Sequence, residues 1–293
     1  MMKVLKKIGS ILFCLLPVLL ALGIQFLVVF AGFVIKIIIL IGRDSSWINE
    51  ITSPDLLYQT LSDSQFLMLL SAIYGIISAL ILGFWYWKGF FPKKQPKRRC
   101  SSIIHPAMFF GLIFLMIGMQ YISTYLVAIL AAVHPAWYHS YEELLKSAGF
   151  GDITLILALY SIVIAPISEE LIFRGVTMKY AAKTMPFFLA NVLQAFLFGL
   201  FHGNVIQGVY AFTVGLFCGY VCFIGNSIYL SILFHMMFNL WGTFCSDFLS
   251  YSGDSALIHL AIFAGAVLAA AIGVFLYQWG AKRRPTSTKS NTP

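Results

Sequence analysis

The sequence predicts an all-α protein: a polytopic membrane helix bundle of about eight transmembrane helices, with both termini cytoplasmic. Three observations predict it. Of 293 residues, 60% are hydrophobic and 10% charged, and the mean hydropathy is +0.89, which excludes a soluble globule. Apolar runs of about 20 residues or more, the length that crosses a bilayer, follow one another along most of the chain. The net charge of +8 is gathered in the short connections between those runs. Such a pattern sets membrane orientation, and no nucleic-acid partner is expected.

The runs cover residues 10–41, 66–91, 105–133, 153–184, 186–202, 205–224, 226–245 and 257–280. The first follows a basic start, "MMKVLKK", that imitates a signal peptide. It continues apolar to Ile41, too far for a cleaved segment, and so reads as an anchor. Lys36 lies near its outer end, within snorkelling reach of the headgroups. The second run ends in Trp85, Trp87 and Lys88, the amphipathic residues of a membrane interface. The fourth is long and carries charge. The fifth is short and is expected to stop part-way, with the break at "HGN" (residues 202–204) lining a cavity. The sixth holds Gly215 and Gly219, a small-xxx-small pair suited to close helix packing. Residues 1–280 thus form a single transmembrane domain, and 281–293 a disordered basic tail.

Charge orients the bundle. Lys3, Lys6, Lys7, Lys93, Lys94, Lys97, Arg98, Arg99, Lys179, Lys183, Lys282, Arg283 and Arg284 all fall on one side of an eight-span chain, which is the cytoplasm by the positive-inside rule. Only Arg43 and Lys146 fall in the opposite loops. Of eleven acids, nine lie in those opposite loops: Asp44, Glu50, Asp55, Asp63, Glu142, Glu143, Asp152, Asp247 and Asp254. The remaining two, Glu169 and Glu170, sit inside the fourth run, in "APISEELIFRG", and topology does not explain them. The five cysteines are scattered. Cys218 and Cys222 share a helix face and read as small packing residues.

An intramembrane acid marks a functional site by default, because a charge at the helix centre costs about 2.5–3.5 kcal/mol on insertion scales. Glu170 and Arg174, four apart in the favourable order, are expected to pair. That leaves Glu169, about 100° round the helix, as the available carboxylate. Pro166 removes a backbone donor and is expected to free the Ile162 carbonyl. Of six histidines, His105, His134, His139 and His259 lie at span ends or in loops, which leaves His202 and His235 as the candidates. Phe198 precedes His202 by four residues, and Asn239 follows His235 by four. Counted from the turn at Met185–Pro186, Glu169 and His202 come level in an antiparallel helix pair. A carboxylate with imidazoles in a wet membrane cavity suits water activation, with Glu169 as general base and an imidazole or amide donor for the oxyanion. The same Glu169, His202 and His235 can hold Zn²⁺ with one open position. Arg174, and the lack of further carboxylates to support the histidines, tilt the reading to metal-free chemistry.

Three motifs carry a family resemblance: E-E-x-x-x-R as "EELIFR" (169–174), F-x-x-x-H as "FGLFH" (198–202) and H-x-x-x-N as "HMMFN" (235–239). In this order, each in a late apolar run, they resemble the CAAX prenyl protease and bacteriocin-processing family of intramembrane metalloproteases, over about residues 153–245, the expected catalytic core. The resemblance implies an intramembrane endopeptidase acting on a peptide or membrane-anchored protein substrate. It makes Glu169 the catalytic base, His202 a ligand of the water or metal, and His235 with Asn239 the oxyanion site. Glu170, Arg174 and Phe198 support them. It implies roles in CAAX-type processing, peptide maturation or bacteriocin immunity, and compact loops favour a bacterial plasma membrane. A proton-relay transporter also uses buried Glu and His, but no inverted repeat is visible and the polar residues cluster in four runs. A non-catalytic immunity protein of the same fold is opposed by the intact motifs.

Overall fold

A computed structural model describes residues 2–47, 53–91, 103–245, 253 and 255–284, the side chains of residues 2–11, 54, 56, 57 and 59 excepted. Lys93, Lys94, Lys97, Arg98, Arg99, Cys100, Glu50, Asp247, Asp254 and the tail from 285 onward lie outside the described residues, as do the side chains of Lys3, Lys6 and Lys7.

All regular structure among the described residues is helical: α1 Met2–Arg43, α2 Pro54–Leu61, α3 Ser64–Gly89, α4 Pro106–Val133, α5 Pro135–Ser147, α6 Leu155–Ala181, α7 Phe187–Phe201, α8 Val205–Gly225, α9 Ile228–Phe244 and α10 Ala256–Lys282. The eight expected runs are α1, α3, α4 and α6 to α10. Six of these are long and apolar enough to cross a membrane, and α7 and α9 are shorter apolar helices. At 15 residues, α7 reaches about 22 Å, shorter than the ~30 Å hydrocarbon core of a bilayer. The short helices α2 and α5 were not legible as apolar runs. Each begins with a proline at its first turn, where the missing N–H costs nothing.

The helices alternate in direction as the charge pattern requires. At one end Tyr180 of α6 meets Phe13 of α1 and Phe90 beyond α3, with ring centroids 6.2 and 5.0 Å apart. Arg284 donates there to the carbonyls of Ile103 (3.1 Å) and Gly225 (2.6 Å). At the other end Lys36 donates to the Thr60 carbonyl at 2.5 Å and lies 4.1 Å over the Phe66 ring. Labelling single cysteines placed in 93–99 and in 44–63 should therefore mark opposite faces of the membrane. Labelling from the same face would reject this topology.

Two large apolar cores form, beside a smaller cluster of Cys14, Met178, Ala181, Ala190, Cys222 and Ile228. One joins α4, α8, α9 and α10 through residues such as Leu115, Val221, Phe234 and Tyr277. The other joins α1, α3, α6 and α7 through Ala21, Leu82, Phe173 and Phe198. Backbone meets backbone between α4 and α10. A Cβ on Gly111 would strike Tyr277 N and Gly273 O, and one on Gly273 would strike Leu115 N and Gly111 O. Gly111 and Gly118, like Ala266, Gly273 and Gly280, recur at seven-residue spacing, the repeat of a left-handed crossing. The expected close packing at Gly215 and Gly219 is also present: Cβ atoms there would run into Ala195, Phe198 and Asn191 of α7. The motif residues lie where the two cores meet, among α6, α7, α8 and α9.

Candidate active site

α6 is not a uniform α-helix. Thr154 caps it, accepting from the Leu157 N–H at 3.3 Å. Two π-helical segments, Tyr160–Ile164 and Leu171–Thr177, then flank the α-helical Ala165–Glu170. Such segments are frequent at functional sites. The Ala165 N–H bonds to the Tyr160 carbonyl, five residues back. In this register the donor missing at Pro166 is lost by Ser161, not by Ile162 as a uniform α-helix implies. The Ser161 carbonyl instead accepts from Asn239 Nδ2 at 2.7 Å.

Glu170 and Arg174 are completely buried and pair as their spacing predicts, Nη1 to Oε1 at 2.8 Å. Arg174 Nη2 donates to the Gly215 carbonyl at 3.0 Å, and the guanidinium lies 4.6 Å over the Phe198 ring. Glu170 does more than neutralise Arg174. Its Oε1 also takes His235 Nδ1 at 3.0 Å, and its Oε2 lies 2.5 Å from Ser231 Oγ. Ser231 was not singled out by its sequence context, although Ser231, His235 and Asn239 form a stripe at four-residue spacing on α9.

An acceptor at Nδ1 fixes each imidazole. His235 Nδ1 faces the Glu170 carboxylate. His202 Nδ1 lies 2.8 Å from the Phe198 carbonyl, left over where α7 ends in a tight turn. Each neutral ring therefore carries its proton on Nδ1 and its lone pair on Nε2. His235 Nε2 points to Glu169 Oε2 at 3.7 Å, too long for a direct hydrogen bond and suited to a bridging water. Glu169 is the accessible carboxylate of the two, with 16% of its side chain exposed against 0% for Glu170. Phe198 sits between the histidines, edge to face with His202 (4.8 Å) and His235 (5.7 Å). The "HGN" break is a real one: His202 ends α7, Gly203 turns the chain at φ +66°, and Asn204 caps α8.

A metal fits this arrangement poorly. Among the described residues, the trio whose ligand atoms lie within 4.8 Å of one another is Glu170, Cys218 and His235, not Glu169, His202 and His235. Glu170 Oε1 is already shared by Arg174 and His235 Nδ1, so a cation there would displace a guanidinium. Cys218, expected to be a packing residue, does lie in the apolar core, with its sulfur beside this polar cluster.

Fold and site together define a polytopic helical membrane protein with a buried glutamate–arginine–histidine centre. Residues 151–241 match the family described as Type II CAAX prenyl endopeptidase Rce1-like, a match over about a third of the chain that supports a CAAX protease assignment for this segment. All three motifs fall inside the matched residues. The family is one of proteases, which supports a CAAX-type endopeptidase acting in the membrane. No curated protein matches the chain, and no solved structure does.

Proposed function

We propose that the chain hydrolyses a peptide bond in a peptide or membrane-anchored protein by glutamate-activated water. The observation that carries this is the convergence of Glu169 Oε2 and His235 Nε2, 3.7 Å apart, with the Glu169 side chain partly exposed. A water seated beside both atoms can donate one hydrogen to each. Glu169 takes the proton as the oxygen attacks the carbonyl carbon. Glu169 and Glu170 carry two negative charges against the one positive charge of Arg174, and the proton released from water balances the cluster. Passed to His235, it gives an Nε2–H, backed by Glu170, that faces the oxyanion and then protonates the leaving amine. His202, which shares the Phe198 ring with His235, is assigned as a second partner of the water, and Asn239 keeps one amide hydrogen beyond the one given to Ser161. The catalytic core is residues 153–245. Its setting is a bacterial plasma membrane, in peptide maturation, bacteriocin immunity or CAAX-type processing.

The test is cleavage by the purified full-length protein of a membrane-anchored reporter peptide, with and without a prenylated CAAX end. Turnover is expected to survive exhaustive chelation, with no stoichiometric zinc by elemental analysis. Activity lost on chelation and restored by Zn²⁺ would make Glu169, His202 and His235 ligands and overturn the metal-free reading.

A further inference from the structure

A carbonyl inside a helix normally has a backbone partner four residues on. The Ser161 carbonyl has none. Its α-helical partner, the Ala165 N–H, is spent on Tyr160, and its π-helical partner is Pro166, which has no N–H. Lipid cannot supply a donor. Asn239 reaches across from α9 and supplies one at 2.7 Å. This contact joins the helix that carries His235, one turn before Asn239, to the helix that carries Glu169, two turns after Ser161. It does so at the π segment itself. One residue added to a helix rotates everything beyond it by about 100°, so this segment decides which face presents Glu169 and which buries Glu170.

We propose that Asn239 is a positioning residue, a strut that satisfies the Ser161 carbonyl and thereby holds the π segment and the Glu169–His235 gap. The proposal rests on the reading of Glu169 and His235 as the reacting groups. An amide is the side chain this role needs, since aspartate would set oxygen against oxygen and alanine would leave the carbonyl bare.

Pro166→Ala supplies the means of testing it. The new N–H reaches the Ser161 carbonyl in the π register, and in an α register the Ala165 N–H does so. Either way Ser161 gains a backbone partner without Asn239. The experiment compares the full-length wild type, Asn239→Ala, Pro166→Ala and the double variant, by melting temperature in detergent and by kcat and KM on the reporter peptide. Asn239→Ala should lower the melting temperature and reduce kcat about tenfold or more with KM within about twofold, the mark of a displaced reacting group rather than lost substrate binding. Asn239→Asp should behave alike. In the Pro166→Ala background, loss of Asn239 should cost little in melting temperature. If Asn239→Ala fails to accumulate, recovery of accumulation in the double variant is the same result.

An equal thermal cost in both backgrounds would overturn the strut. So would a fall in kcat with an unchanged melting temperature, which would make Asn239 a donor to the substrate alone. The thermal comparison needs no turnover. A protein that cleaves nothing, yet loses its dependence on Asn239 when Pro166 is replaced, would reject the peptidase reading and keep the strut.

Discussion

Glu169→Gln is expected to accumulate and melt like the wild type while its cleavage of peptide falls by about 10²–10⁴-fold, the range contributed by a positioned general base. The two halves of this result have separate causes. An amide is nearly the same size as a carboxylate but cannot take a proton from water. Glu169 makes no close ion pair: its neighbour at His235 Nε2 is 3.7 Å away, and part of its side chain is exposed. Its replacement therefore removes little that holds the fold together. Cleavage assays beside thermal melts decide the matter. Retention of most activity would show that another group accepts the proton.

Glu170→Gln and Arg174→Ala should fail in the opposite way, in stability first and activity afterwards. Breaking a buried ion pair by removing one partner typically costs about 3–5 kcal/mol, because the survivor stays buried and charged. The structure places both variants in that regime. Both side chains are fully buried, and Glu170 accepts from Arg174, His235 and Ser231. Melting and membrane accumulation should both drop. A double variant that makes both positions apolar, Glu170→Leu with Arg174→Met, should be more stable than either single charge deletion, because neither charge is left alone. Wild-type melting of Glu170→Gln would contradict this role.

Local spacing explains what was legible in the sequence. Glu170 and Arg174 pair because residues four apart share a helix face, and that needs no knowledge of the rest of the bundle. Gly215 and Gly219 announced close packing for the same reason, and the short fifth run became a short helix. What spacing could not show was contact between helices. The bond from His235 to Glu170 spans 65 residues, and that from Asn239 to Ser161 spans 78. The missing carboxylate support for a histidine was one such contact: Glu170, counted as spent on Arg174, serves His235 as well. The π segments have no composition of their own, so Pro166 could be read as a lost donor but not assigned to the right carbonyl. The seven-residue recurrence of small residues in α4 and α10 was present in the sequence, but an apolar run gives no hint of which face meets a partner.

The placement of Arg174 on the same helix as Glu170 also bears on biogenesis. Synthesis delivers α6 to the membrane before α9 exists, and Ser231 and His235 follow Glu170 by 61 and 65 residues. While α6 partitions into lipid, neither can help. The only counter-charge then at hand is the one four residues further along, so this segment enters with much of its charge already cancelled. An arginine delivered to the same spot by a later helix would make the same finished contact, yet it would leave α6 to cross the translocon carrying two bare carboxylates, at about 2.5–3.5 kcal/mol each. The pair thus serves the nascent chain before it serves the folded protein.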